Sequence, residues 1–303
     1  MSDANVHVDG RVISLSNQDK PLFPQDGISK GDLVDYYRRI AEIAIPHYRG
    51  RPLTMHRFPD GIDRDGFFQK EAPDHFPDWI ERATLDKEGG SLRQVIANDA
   101  ATLVYLANQG CITPHLGLST IDAIDRPDRL IIDLDPSDDD FGKVQMAARR
   151  LRMLFDEADI ASFVKTTGSK GLHVVVPLDR SASFDAVRAC ADRLAAHLAK
   201  AHPDDLTTEL RKAKRGNRVY LDIGRNAYGQ TAVAPYAVRP LPGAPIATPL
   251  DWDEALTGDM HPQRYTLTNI FRRLGAKDDP WARIDKNAIP IEALEKTLDQ
   301  HGP

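Results

Sequence analysis

Leu130-Ile131-Ile132-Asp133-Leu134-Asp135-Pro136 is the stretch on which the reading of this chain turns. Three apolar residues lead into two carboxylates one residue apart, and a proline closes the run. Such a run reads as a buried strand. Side chains alternate across a strand, so Asp133 and Asp135 point to one face. Pro136 ends the strand because it cannot donate to a ladder. Two carboxylates side by side repel each other, and a bound divalent cation is the usual way to keep both ionised. Hard oxygen donors favour Mg²⁺ or Mn²⁺ over zinc. A D-x-D pair alone is equally compatible with two surface acids at a strand end. Phosphatases of the haloacid-dehalogenase type carry such a pair but prefer Thr or Val where Ser137 stands. Sugar-nucleotide transferases place theirs in a different setting.

Outward from this strand the pattern is mixed α/β. Residues 31–45 set Leu33, Tyr36, Tyr37, Ile40, Ile43 and Ala44 on one helical face, entered after Ser29. Thr102 to Ala107 is ambiguous between helix and strand. A helix is predicted from Phe141 to Ala158, with Val144, Ala147, Ala148, Leu151, Leu154 and Phe155 facing inward. Ser162 to Thr166 and Leu172 to Pro177 read as strands around the turn Thr167-Gly168-Ser169-Lys170-Gly171. A further helix, Phe184 to Lys200, carries Val187, Cys190, Leu194 and Leu198. Arg218 to Ile223 alternates as a strand, and a Pro-rich segment, 235–249, leads to a helical tail. The expected division is an N-terminal module to about residue 110 and a catalytic module from 111 to 303.

With 303 residues, 41% hydrophobic and 28% charged, the composition is that of an ordinary globular enzyme. Cys111 and Cys190 are too few for a disulfide scaffold and lack metal-ligand spacing, which fits a reducing cytoplasm. No apolar run reaches the roughly 18 residues a membrane helix needs. The net charge of −6 argues mildly against a nucleic-acid partner, yet basic residues cluster in Arg211-Lys212-Ala213-Lys214-Arg215-Gly216-Asn217-Arg218. On charge alone that run is a solvated loop.

Two further features bear on chemistry. Asp222, in Arg218-Val219-Tyr220-Leu221-Asp222, lies on a predicted strand between apolar residues, where an unpaired charge is costly. It is either a third metal-binding acid or one half of a salt bridge, with Arg225 as the candidate partner. Thr167 to Gly171 offers hydroxyls, Lys170 and backbone N–H groups for triphosphate oxygens. It is not a Walker loop, since the spacing is absent and no helix follows. As a lone Gly-Ser-Lys-Gly turn it is also a plain hairpin.

Taken together, the pieces resemble the polymerase domain of bacterial end-joining ligase D, a branch of the archaeo-eukaryotic primase superfamily. The matching stretches are Leu15 to Pro24, Gly27-Ile28-Ser29-Lys30, Gly66-Phe67-Phe68-Gln69-Lys70, Pro114-His115, Asp133 to Pro136, Gly168 to His173, Arg218 to Asp222 and Ala234-Pro235-Tyr236. The resemblance implies an α/β (α+β) fold of primase type, with an RRM-like catalytic sheet and an N-terminal α/β module. It implies that Asp133, Asp135 and Asp222 hold two ions, usually Mn²⁺ or else Mg²⁺. Thr167, Ser169, Lys170, Gly171 and His173 would contact the incoming triphosphate. His115 would face the nucleotide at its sugar, and Arg215 and Arg239 match basic positions near triphosphate or template. Asn17, Lys20 and Lys30 correspond to a pocket for a DNA 5′-phosphate. Phe67 and Phe68 match aromatics that stack on template bases, with core packing as the alternative for both, and Arg57 is a template-backbone candidate.

The implied reaction is attack of a primer 3′-hydroxyl on the α-phosphate of a bound NTP or dNTP, ribonucleotides preferred, releasing pyrophosphate. The implied partners are gapped, overhanging or 5′-phosphorylated DNA, Ku and an ATP-dependent DNA ligase, on the nucleoid of a bacterial cytoplasm and with no membrane. Two departures stand out. Thr113 occupies a position where the family often has an acid, which bears on sugar recognition, and Gln230 replaces a frequent basic residue. The ligase and nuclease domains usually fused to this one are missing, and the Met1 start leans toward a stand-alone protein that fills short gaps. Two rival readings are a metal-dependent phosphatase with Asp133 as nucleophile and a non-enzymatic end-binding module built on Asn17, Lys20 and Lys30.

Overall fold

The structure, a computed structural model, describes residues 4–87 and 89–300. Its contacts divide the chain into two compact units. The first takes the chain up to Gly117 and returns for Thr231–Ala247 and Tyr265–Lys277. The second takes Leu118–Gln230, Thr248–Arg264 and the chain from Asp278 onward. The single boundary expected near residue 110 thus stands beside a chain that passes between the units five times.

The first unit opens with two small hairpins, β1 (Ala4–Val8) on β2 (Arg11–Leu15) and β3 (Pro21–Phe23) on β4 (Ile28–Ser29). Helix α1 (Lys30–Tyr48) follows, started by a capping box between Ser29 and Asp32. That exchange satisfies two amide groups that a helix start leaves without a partner. Strands β5 (Pro52–Arg57), β6 (Phe67–Gln69), β7 (Arg82–Lys87) and β8 (Gly90–Ile96) lead to α2 (Ala100–Asn108). This resolves the ambiguous Thr102–Ala107 run as helix, capped by the Asp99 carboxylate on the Thr102 amide. Strand β9 (Cys111–Gly117) completes this part.

The second unit runs β10 (Arg129–Asp135), α3 (Phe141–Glu157), β11 (Phe163–Thr166), β12 (Leu172–Pro177), α4 (Phe184–Ala201), β13 (Leu206–Thr207) and β14 (Val219–Asp222). Strand β15 (Thr231–Val233) returns to the first unit and pairs with β9, so that sheet is ordered β15-β9-β5-β8-β7, with β6 on β5. Strand β16 (Pro249–Leu250) closes the second sheet, which is ordered β13-β14-β10-β12-β11-β16. Short helices α5 (Trp252–Ala255) and α6 (Ile270–Leu274) precede α7 (Ile291–Gln300), which packs on α4.

The order β10-α3-β11-β12-α4-β14, with β14, β10, β12 and β11 adjacent in space, is the split βαβ arrangement of ferredoxin-like and RNA-recognition folds. It follows from the sequence pattern. Leu130, Ile132 and Leu134 are fully buried on one face of β10, along with Val144, Ala147, Ala148 and Leu151 of α3 and Val187, Cys190 and Leu194 of α4. The helices cover that face, and alternation turns Asp133 and Asp135 to the opposite one.

Candidate active site

Register gathers the acids. Asp133 lies opposite Asp222 of β14 on one side and opposite His173 of β12 on the other. His173 in turn lies opposite Lys165 of β11. Directly opposed residues share a face with Cβ atoms about 4.5–5.5 Å apart. Lys165, His173, Asp133 and Asp222 therefore form one row across four strands, with Asp135 two residues further along β10 and opposite Tyr220.

Each acid has a partner in its own chain. His173 Nε2 is 3.4 Å from Asp133 Oδ2. Arg215 donates to Asp135 Oδ2 at 3.3 Å, lies over the Tyr220 ring at 3.8 Å and donates to the carbonyls of Glu209 and Leu210. Asp222 Oδ1 accepts the Gly224 amide at 2.8 Å. Among the described residues Asp222 makes no ion pair with Arg225, and its carboxylate is engaged by the Gly224 amide instead. Arg215 is buried at the centre of the basic run, while Arg211, Lys212 and Lys214 remain exposed.

The electrostatics set the two strand acids apart. For Asp133, burial pushes the carboxyl up, but His173, then Arg225 and Lys165, outweigh it and hold the group below the usual range. For Asp135, burial and then the Asp133 charge push the carboxyl up, against Arg215. This is the mutual repulsion expected of two carboxylates on one face. Burial, then the Lys165 charge, lowers His173 to about 4 despite Asp133. At neutral pH its 3.4 Å contact with Asp133 is thus that of a neutral ring and no ion pair.

The turn between β11 and β12 is organised by Thr167. Its hydroxyl donates to the Gly171 carbonyl and accepts from the amides of Ser169 and Gly171. Gln263 holds the Ser169 carbonyl. A Cβ on Gly171 would lie 2.0 Å from the Leu134 carbonyl oxygen, so only glycine lets this turn approach the strand of the acids. The exposed Lys170 ammonium pairs with Asp139 at 2.8 Å.

The remaining candidates lie on the first unit. His115, on β9, faces Thr54 and Val233. Phe68 stacks on His56 with ring centroids 4.0 Å apart and meets His115 edge-on at 5.3 Å. Phe67 is 45% and Phe68 62% exposed, so core packing is excluded for both. Arg57 lies over Phe67 and donates to the Gln109 carbonyl and to Gln69. The Thr113 hydroxyl is spent on the Val238 carbonyl. Arg239 acts on His56, which burial, then that charge, lowers to about 4.

Asn17, with positive φ, opens the turn in which the Lys20 amide donates to the Asn17 carbonyl. The Lys20 ammonium pairs with Asp60 at 2.6 Å. The Lys30 ammonium is buried and donates to the Asn108 carbonyl and the Ser16 hydroxyl, which ties it to the fold as well.

Lys165, His56 and Asp60 were not singled out in the sequence. A lysine inside an apolar strand run, immediately before the Thr-Thr-Gly-Ser-Lys-Gly turn, is the signal for Lys165, which is only 2% exposed. Alternation along β5 is the signal for His56.

The depressed histidines predict a pH dependence of stability. The unfolded chain protonates both rings from the ordinary value of 6.5 downward, the folded chain only near 4. Their neutral forms therefore support the fold fully above 6.5, and this support is lost as the pH falls toward 4. Thermal melts from about pH 7.5 to about 4.5 should show a falling Tm, with a shallower slope in His56→Gln/His173→Gln. Equal slopes in the two proteins would mean that other groups carry the effect.

The LigD primase-polymerase domain family matches residues 29–281. The chain belongs to that family. It is 31% identical over 285 residues to the multifunctional non-homologous end joining protein LigD of Mycolicibacterium smegmatis, covering 93% of this chain and 37% of that protein. It is 30% identical to the bifunctional LigD of Bacillus subtilis, covering 93% of this chain and 46% of that one. The chain thus spans less than half the length of these curated relatives. Among solved structures, the polymerase domain of Mycobacterium tuberculosis ligase D in complex with DNA aligns with a TM-score of 0.86 at 30% identity, covering 91% of this chain and 99% of that one. The mixed α/β architecture expected from the sequence is the architecture of the LigD polymerase domain.

Proposed function

We propose that this LigD-type chain is a divalent-metal-dependent, template-directed polymerase that extends DNA ends and fills short gaps during end joining. The observation that carries this reading is the row of Asp222, Asp133 and His173 in one register, with Asp135 beside it. The donors are hard oxygens, and the repulsion between Asp133 and Asp135 is of the kind that Mn²⁺ or Mg²⁺ relieves. Among the described residues no three His, Cys, Asp or Glu side chains already stand at ligand spacing. His173 and Arg215 each engage only one oxygen, Oδ2, of Asp133 and Asp135 respectively. When bound, two ions would activate the attacking hydroxyl and stabilise the departing pyrophosphate.

The chain's own residues then have assignable tasks. Thr167 keeps the turn in shape, so that its backbone amides, Ser169 and Lys170 can receive triphosphate oxygens. Neutral His173 orients Asp133. On the first unit, Phe67, Phe68 and Arg57 receive the template strand, Asn17, Lys20 and Lys30 a 5′-phosphate, and His115 and Arg239 the nucleotide. The substrates we assign are gapped, overhanging or 5′-phosphorylated DNA with NTPs in preference to dNTPs. The partners are Ku and an ATP-dependent ligase on the bacterial nucleoid. Among the described residues no helix is long and apolar enough to cross a membrane.

Primer extension on a gapped duplex tests the reading, with Mn²⁺, NTPs or dNTPs, and the downstream 5′-phosphate present or absent. Templated extension stimulated by that phosphate supports it. Phosphate-dependent binding with no extension would leave only an end-binding module. Phe68→Ala should weaken template binding by about 1–3 kcal/mol, the usual worth of a base stacked on an aromatic ring. Because Phe68 is 62% exposed, the loss of its stacking on His56 should lower the Tm only slightly, and unchanged binding would refute the assignment.

A further inference from the structure

Asp60 is held opposite Lys20 by a built turn, and that makes their ion pair more than a chance surface encounter. Phe58-Pro59-Asp60-Gly61 closes with the Gly61 amide on the Phe58 carbonyl at 3.1 Å. Proline at the second position and glycine at the fourth suit such a turn. Gly61 has φ +82, and a Cβ there would meet the carbonyl oxygens of Pro21 at 3.0 Å and Leu22 at 3.1 Å. The next amide, of Ile62, donates to the Leu22 carbonyl. The turn is thereby docked on β3, the strand that directly follows Lys20. Asp60 Oδ1 receives the ammonium at 2.6 Å, and both side chains face solvent. The hydrogen bond from Lys20 holds the Asp60 carboxyl below the usual range. A second lysine assigned to phosphate, Lys170, is met in the same way by Asp139.

We propose that Asp60 is a displaceable stand-in for phosphate at Lys20, occupying the ammonium when no DNA end is bound and competing with the terminal 5′-phosphate for it. The proposal rests on the 5′-phosphate role of Lys20 given above. A carboxylate and a phosphate oxygen make the same charge-assisted contact with an ammonium. An exposed ion pair is weak enough to be exchanged. A terminal phosphomonoester carries about 1.5–2 negative charges at neutral pH against one for the carboxylate, so it displaces Asp60 where uncharged ends do not. Asp60 thus keeps Lys20 from attracting anions indiscriminately, at some loss of affinity for the proper end.

The test is fluorescence anisotropy with recessed duplexes ending in 5′-phosphate or 5′-hydroxyl, at low salt, for the wild type, Asp60→Asn and Lys20→Met. Asp60→Asn is expected to tighten binding of the 5′-phosphate end by about two- to five-fold, the scale of an exposed ion pair, and to leave the 5′-hydroxyl end unchanged. Lys20→Met should erase the preference for phosphate. Unchanged or weaker phosphate binding in Asp60→Asn would overturn the proposal and make Asp60 a support that positions Lys20. An equal gain on both ends would overturn it as well, as a general charge effect. If Lys20→Met keeps the full preference for phosphate, the pocket itself is misassigned and the role of Asp60 falls with it. Thermal melts of both variants confirm that folding is retained.

Discussion

Asp133→Asn is expected to lower primer extension by about a thousand-fold or more while leaving DNA binding intact. The substitution keeps the shape and removes one negative charge from the row in which Asp133 faces both Asp222 and His173. A divalent ion at the reacting phosphoryl group would supply several kcal/mol of transition-state stabilisation, Asp133 is among the residues that would hold it, and each 1.36 kcal/mol is tenfold in rate. Single-turnover extension with saturating Mn²⁺, beside anisotropy with the same gapped duplex, separates chemistry from binding. Retention of more than about a tenth of the wild-type rate would remove Asp133 from the chemistry.

Gly171→Ala is expected to act through the backbone. The added methyl would lie 2.0 Å from the Leu134 carbonyl oxygen, on a strand bound between β12 and β14. No flexible side chain is there to move aside, so either the turn lifts from β10 or the strand shifts. The expected destabilisation is at or above the upper end of the about 1–3 kcal/mol that overpacking costs. The readout is a Tm lower by several degrees together with lost extension. A variant that melts like the wild type would show that the turn can retreat without penalty.

What could be read from the residues and what could not divide along a physical line. The strand ending at Pro136 and the helices near 141–158 and 184–200 were legible, because burial of one face imposes a period on each. The pairing of Asp222 with Asp133 was not, since register between strands far apart in sequence depends on the whole sheet. The same holds for Lys165, a buried cation that only the facing of β11 on β12 relates to His173. Core packing for Phe68 was an open alternative because an aromatic on a short strand looks the same whichever face it takes, and here the strand's partner is His56. The ion pairs of Lys20 with Asp60 and Lys170 with Asp139 were invisible for another reason: loops bring those acids close.

The late return of the chain to its first unit bears on how the protein is made. Tyr36 donates to the Tyr236 carbonyl, and Tyr37 donates to that of Ile112 and accepts from the amide of Val238. Val233, Tyr236, Ile246 and Ile270 belong to the same buried cluster as Leu33 and Ile40. A nascent chain that has emerged only to residue 230 therefore has every helix and strand of that unit through β9 but not the residues that close its core. At a synthesis rate of about 5–20 residues per second, that apolar surface waits for several seconds on the ribosome. Meanwhile β10 to β14 are already complete. The first unit therefore cannot be finished before Tyr265–Lys277 have been made, and stop codons anywhere between positions 118 and 270 should yield aggregating fragments.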